Sequence, residues 1–132
     1  MYTYSKTGQD CGIVAIANYI GKTYDEVFNA ARETGYLVRS DGLTNAGKLN
    51  SCLSHFGWRA TVMPKEIVDR RKFTGLYRYC MASKNIGHIM SCIDGNAFDV
   101  DGSVNPLSHR GRKCLIEQFY AVYRNSSKVD TL

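Results

Sequence analysis

Cys11 follows Gln9-Asp10 and opens the apolar run CGIVAIANYI, which ends before Gly21. If that run is a helix, Cys11 lies at its N-terminus, where backbone N–H groups have no partner and the helix dipole favours thiolate over thiol. The same N–H groups can hold the oxyanion of a tetrahedral intermediate. One position then supplies both a nucleophile and part of its electrostatic support. A buried structural cysteine is the competing reading, and a base close by is what separates the two.

His88 is the candidate base. It begins the run His88-Ile89-Met90-Ser91-Cys92-Ile93, and Asp94-Gly95 after it is a two-residue hairpin signal with type I′ chemistry. With Ile93 opposite Asn96, the register sets Met90 against Asp99 and His88 against Asp101. Side chains alternate along a strand, so His88, Met90, Asp99 and Asp101 project from one face of the ribbon. Idealised pairing makes Asp101 the direct neighbour and Asp99 the diagonal one, and sheet twist can draw a diagonal pair together. A carboxylate against His88 fixes the imidazole tautomer and stabilises the imidazolium formed when the ring accepts a thiol proton.

The remaining pattern supplies the elements that must hold these residues. Residues 11–20 read as a buried helix stopped by a C′ glycine. Thr23-Tyr24-Asp25-Glu26 is a capping-box pattern that starts a second helix running to Thr34, with Val27, Ala30 and Ala31 on its apolar face. After a loop containing Asp41-Gly42, Thr44 caps a third helix in which Leu49, Cys52, Leu53 and Phe56 fall at helical spacing before Gly57. At Trp58 the period changes to two, and Trp58–Met63 reads as a strand ended by Pro64. Lys65–Lys72 reads as a polar helical turn. Leu76–Ala82, Gly87–Ile93, Asn96–Val100 and Glu117–Arg124 follow as strands. Helices first and strands later predict an α+β fold, with an N-terminal helical part on an antiparallel β-sheet.

The chain has 132 residues, 44% of them hydrophobic and 22% charged, with two prolines, which suits one globular domain over residues 1–125 and a loose tail over 126–132. No apolar run approaches the roughly 20 residues that span a bilayer, and the N-terminus lacks the pattern of a secretory signal. Five cysteines, an odd number without the spacing of a secreted scaffold, fit a reducing compartment. A cytoplasmic protein is the expectation. Its net charge of +5 comes from seventeen basic and twelve acidic residues spread along the chain, a weak basis for nucleic-acid binding. The clusters Arg70-Arg71-Lys72 and Arg110-Gly111-Arg112-Lys113 could grip phosphate or an acidic partner surface, and solvated loops explain them equally well. Cys52 and His55 lack a second pair at zinc spacing, so a core cysteine and a surface histidine are expected. Asp99–Asn105 has a calcium loop's outline, but its glycine comes early and Arg110 stands where a bidentate Glu belongs. No metal or cofactor is expected.

Three blocks together carry a resemblance. They are Gln9-Asp10-Cys11-Gly12 with its apolar helix, Gly21-Lys22-Thr23-Tyr24-Asp25-Glu26-Val27, and Gly87-His88 running into Asp94-Gly95 and Asp99. Over roughly residues 5–125 they resemble papain-like cysteine peptidases, closest to the small proteins similar to bacteriocin leader peptidases of bacteria and bacteriophages. The resemblance implies a papain-like fold, a Cys11 nucleophile, a His88 base, an Asp99 orienting residue and a protein or peptide substrate. These families usually carry an oxyanion-donating glutamine six residues before the cysteine, where this chain has Ser5; Gln9 is the side chain nearby that can take that role. The rival reading keeps the fold without turnover, as a binding or inhibitory protein made during phage infection.

Overall fold

The computed structural model describes residues 11–34, 46–81, 87–109 and 115–125. Three helices come first: α1 (Cys11–Ile20), α2 (Tyr24–Thr34) and α3 (Ala46–His55). Six strands follow: β1 (Trp58–Met63), β2 (Gly75–Met81), β3 (Gly87–Ile93), β4 (Asn96–Phe98), β5 (Val104–Pro106) and β6 (Leu115–Arg124). They form one sheet in the order β1-β6-β2-β3-β4-β5, with every neighbouring pair antiparallel. The fold is α+β. Among the described residues no helix is long and apolar enough to cross a membrane.

Local chemistry accounts for the helix boundaries. Gly21, at φ +73°, closes α1 with its N–H donating to the Ala17 carbonyl at 3.0 Å, in a left-handed conformation that glycine adopts without steric cost. The capping box then opens α2. The Thr23 N–H donates to Glu26 Oε1 at 3.0 Å, and the Glu26 N–H donates to Thr23 Oγ1 at 3.1 Å, so two otherwise unpaired donors are satisfied reciprocally. Those contacts hold the Glu26 carboxyl below its ordinary range. Thr44, the expected cap of α3, lies outside the described residues.

The helices pack on one face of the sheet. Ile13, Val14 and Ile16 of α1, Val27 and Ala31 of α2, and Leu49, Cys52 and Leu53 of α3 bury themselves against Ala60, Leu76, Ile89 and Tyr120. Each fully buried aliphatic side chain contributes roughly 1.5–3 kcal/mol, so this layer holds α1 firmly against β3. On the opposite face Phe73, Tyr77, Met90, Cys92, Ala97, Leu107 and Phe119 form a second core. At the sheet's edge the Asn50 amide donates to the Ala60 carbonyl at 2.9 Å and accepts from the Ala60 N–H at 2.7 Å. It pairs an edge group of β1 as a further strand would.

The segments between strands depart from the sequence reading. Only Lys65–Ile67 is helical, as one 3₁₀ turn, and the chain through Asp69–Lys72 is a turn instead. Backbone bonds close each piece locally, from Val68 N–H to the Lys65 carbonyl and from Lys72 N–H to the Asp69 carbonyl. β4 stops at Phe98, short of the expected Val100, and β5 was absent from the sequence reading. Both follow from a turn at Asp99–Gly102, in which the Gly102 N–H donates to the Asp99 carbonyl at 3.0 Å and the Asp99 N–H donates to the Ser103 carbonyl at 2.9 Å. That turn folds Val104–Pro106 back onto β4.

Candidate active site

The β3–β4 hairpin has the register read from the sequence. Ser91, Cys92 and Ile93 pair with Phe98, Ala97 and Asn96. Asp94 at φ +50° and Gly95 at φ +79° make the type I′ turn. Gly95 is required for a second reason, since a Cβ there would lie 2.3 Å from the Arg71 carbonyl oxygen.

Beyond Phe98 the idealised ladder no longer applies, and this decides which carboxylate meets the imidazole. His88 Nε2 lies 2.7 Å from Asp99 Oδ1, and both side chains are partly exposed, at 26% and 29%. Asp101, the directly opposed residue in an uninterrupted ladder, instead accepts from the Ser103 N–H at 2.9 Å and the Ser103 hydroxyl at 2.7 Å. Those two bonds hold its carboxyl below the ordinary range. The Val100 N–H also donates to Asp99 Oδ1, at 2.7 Å, and so fixes the carboxylate that orients the ring.

Cys11 is the first residue of α1 and is 7% exposed. Its thiol lies close enough to His88 to help hold the imidazole in its protonated form. Since Asp99 engages Nε2, Nδ1 is the ring nitrogen left for the thiol. The Asp99 hydrogen bond, then the Cys11 thiol, raise the imidazole from 6.5 to about 9, against the opposing effect of burial. The two partners come from opposite sides of the sheet. Cys11 belongs to the helix-side core with Ile89, whereas alternation assigns His88 to the face of Met90 and Tyr77. They meet at the end of β3, where α1 begins.

One contact was missed by the sequence reading. Tyr79 pairs with His88 across β2 and β3, and their rings meet edge to face with centroids 5.8 Å apart. The ring limits how far the imidazole can turn while Asp99 holds its other side. The sequence between β2 and β3 carries no two-residue turn signal, so nothing local announces this pair. Gln9 and Ser5 lie outside the described residues. Among the described residues no three His, Cys, Asp or Glu side chains converge as a metal site. Cys52 is buried and His55 exposed, as expected, and burial pushes the Cys52 thiol up to about 11.

Arg70 corrects another expectation. It is no solvated loop residue. It lies on the far face beside a cavity of about 510 Å³ lined by Lys65, Asp69, Glu117 and Phe119, among others. Its Nη1 and Nη2 donate to Glu117 Oε1 and Oε2 at 3.1 and 3.0 Å, and Nε and Nη2 donate to the Leu107 carbonyl at 3.3 and 3.2 Å. The Tyr77 hydroxyl donates to Glu117 as well. Burial alone pushes the Glu117 carboxyl up, but the bonds from Arg70 and Tyr77 hold it below the ordinary range.

No protein-family model matches the chain, and no curated protein matches it at a significant level.

Proposed function

We propose that this chain is a thiol-dependent hydrolase of papain-like type, attacking a peptide or isopeptide amide in a protein or peptide substrate. One observation carries the reading: thiol, imidazole and carboxylate stand in series, Cys11 to His88 to Asp99, with the thiol at a helix N-terminus. In this mechanism Cys11 and His88 react as a thiolate–imidazolium pair, the Sγ proton held on Nδ1, and the thiolate adds to the carbonyl carbon. The oxyanion is met by unpaired backbone N–H groups at the start of α1. The imidazolium returns its proton to the leaving amine, the C–N bond breaks, and a thioester to Cys11 remains. Water, deprotonated by His88, then hydrolyses the thioester and regenerates the thiol. Asp99 keeps the tautomer correct and stabilises the imidazolium throughout without itself being protonated.

Alkylation tests the reading without a known substrate. Iodoacetamide at neutral pH should modify Cys11 faster than Cys52, Cys80, Cys92 or Cys114, with mass-spectrometric mapping as the readout, and Asp99→Asn should slow that reaction. Cys11 as the slowest of the five would remove the proposed nucleophile.

A further inference from the structure

The helices cover only part of the sheet face on which they pack. Strand alternation places Ala60 and Val62, Leu76 and Arg78, Ile89, and Ile116, Gln118 and Tyr120 on that face. Ala60, Leu76, Ile89 and Tyr120 are buried beneath the helices, whereas Val62 and Ile116 are each 52% exposed. Arg78 stands at the border, paired in register with Ile89 on one side and Gln118 on the other. Ile89 adjoins His88 and shares a core with Cys11, so Arg78 is on the thiol's side of the sheet, one strand from the imidazole.

Arg78 is held but incompletely satisfied. Its Nη1 donates to Gln118 Oε1 at 3.0 Å, and the Tyr120 hydroxyl donates to the same oxygen at 2.8 Å. Its Nε is out of water without a hydrogen-bond partner, and among the described residues no carboxylate pairs with the guanidinium. Arg70, with every nitrogen engaged, shows what a finished arginine site in this fold looks like. A guanidinium is a permanent cation, and one that no described carboxylate neutralises attracts an anionic group to the surface beside it.

We propose that the surface formed by Val62, Arg78 and Ile116 is a substrate subsite for a peptide segment carrying an acidic side chain beside an apolar one. The assignment rests on reading the Cys11 site as amide-cleaving. The carboxylate would pair with the Arg78 charge, for which the described residues supply no counter-ion. Ile116 on the adjacent strand and Val62 one strand further on supply apolar contact, and Gln118 with Tyr120 keeps the guanidinium in place.

Binding by the Cys11→Ala chain tests this without turnover, using an immobilised random heptapeptide library. Bound peptides should be enriched about tenfold or more in Asp or Glu next to Leu, Ile, Val or Phe, relative to Asn or Gln. Arg78→Glu should reverse the preference toward Lys and Arg. Gln118→Glu, which offers the guanidinium an internal carboxylate, should cancel it and serves where the charge reversal impairs folding by circular dichroism. Absence of acidic enrichment, enrichment that survives both substitutions, or no peptide bound at all would overturn the subsite. Alkylation of Cys11 in the unmodified chain separates the two readings. Fast Cys11 without acidic enrichment removes the subsite alone, and slow Cys11 with enrichment supports the surface while removing the hydrolase.

Discussion

Two cation–carboxylate pairs occupy this sheet, and they differ in what they leave open. At Arg70–Glu117 the side chains are 10% and 4% exposed, every guanidinium nitrogen has an acceptor, and Tyr77 completes the carboxylate. Such a pair locks the far face of the fold and has no capacity left for chemistry. At His88–Asp99 the pair is more open, uses only one ring nitrogen on the carboxylate, and presents the other to a thiol. A pair of similar composition is thus purely structural where its bonding is saturated, and has the arrangement the proposed proton transfer needs where one position is kept for a second group.

The comparison breaks most sharply on substitution. Cys11→Ala should abolish turnover of any cleaved peptide while leaving the thermal midpoint close to the parent. Asp99→Asn should lower turnover by about a hundredfold or more, because an amide can hold the imidazole in the wrong tautomer and does not stabilise its charged form. Its stability cost should stay near 1 kcal/mol, read by urea unfolding at neutral pH. Glu117→Gln should do the reverse. Removing one partner strands a buried guanidinium, so unfolding should become easier by about 3–5 kcal/mol, with the Cys11 alkylation rate of the folded molecules unchanged. A Glu117→Gln chain as stable as the parent would show that the far-face pair is dispensable.

Acidity sharpens the contrast further. The imidazolium is favoured in the folded state, with His88 at about 9 against its ordinary 6.5. Its contribution to stability is therefore complete below about pH 6.5 and is lost as the pH rises through about 9. Turnover, which needs the imidazolium to protonate the leaving amine, should fall on an alkaline limb near pH 9. In Asp99→Asn that limb should move to lower pH, since the carboxylate is the largest cause of the shift. A limb in the same place would detach Asp99 from the ring. The smallest effect is expected from Asp101→Asn, whose carboxylate serves Ser103 in a turn; turnover should change by less than about twofold.

Much of the scaffold was legible because its signals are local. The boundary between α1 and α2 rests on Gly21 and on a capping box spanning Thr23 to Glu26, whose donors and acceptors are three residues apart. The hairpin turn at Asp94-Gly95 needs positive φ at both positions, a property carried by those two residues, and it sets the register of β3 on β4. Turn chemistry of this kind also narrows the carboxylate facing His88 to two candidates, Asp99 and Asp101.

The choice between Asp99 and Asp101 belonged to tertiary structure. The ladder ends at Phe98 because the next residues close a turn that returns as β5, and an uninterrupted register misplaces everything beyond that point. The same holds for the contact of Cys11 with His88, which joins residues far apart in the chain from opposite sides of a sheet, and for Arg70 with Glu117. By itself the sequence determined the residue types able to do this chemistry, the helix terminus that presents the thiol, and the turn beside the imidazole. Only the packed fold decided which of those groups touch. Capping and turn energies act over a few residues of one segment, whereas the thiol–imidazole and buried ion-pair contacts arise from the docking of α1 on β3 and of the Arg70 loop on β6.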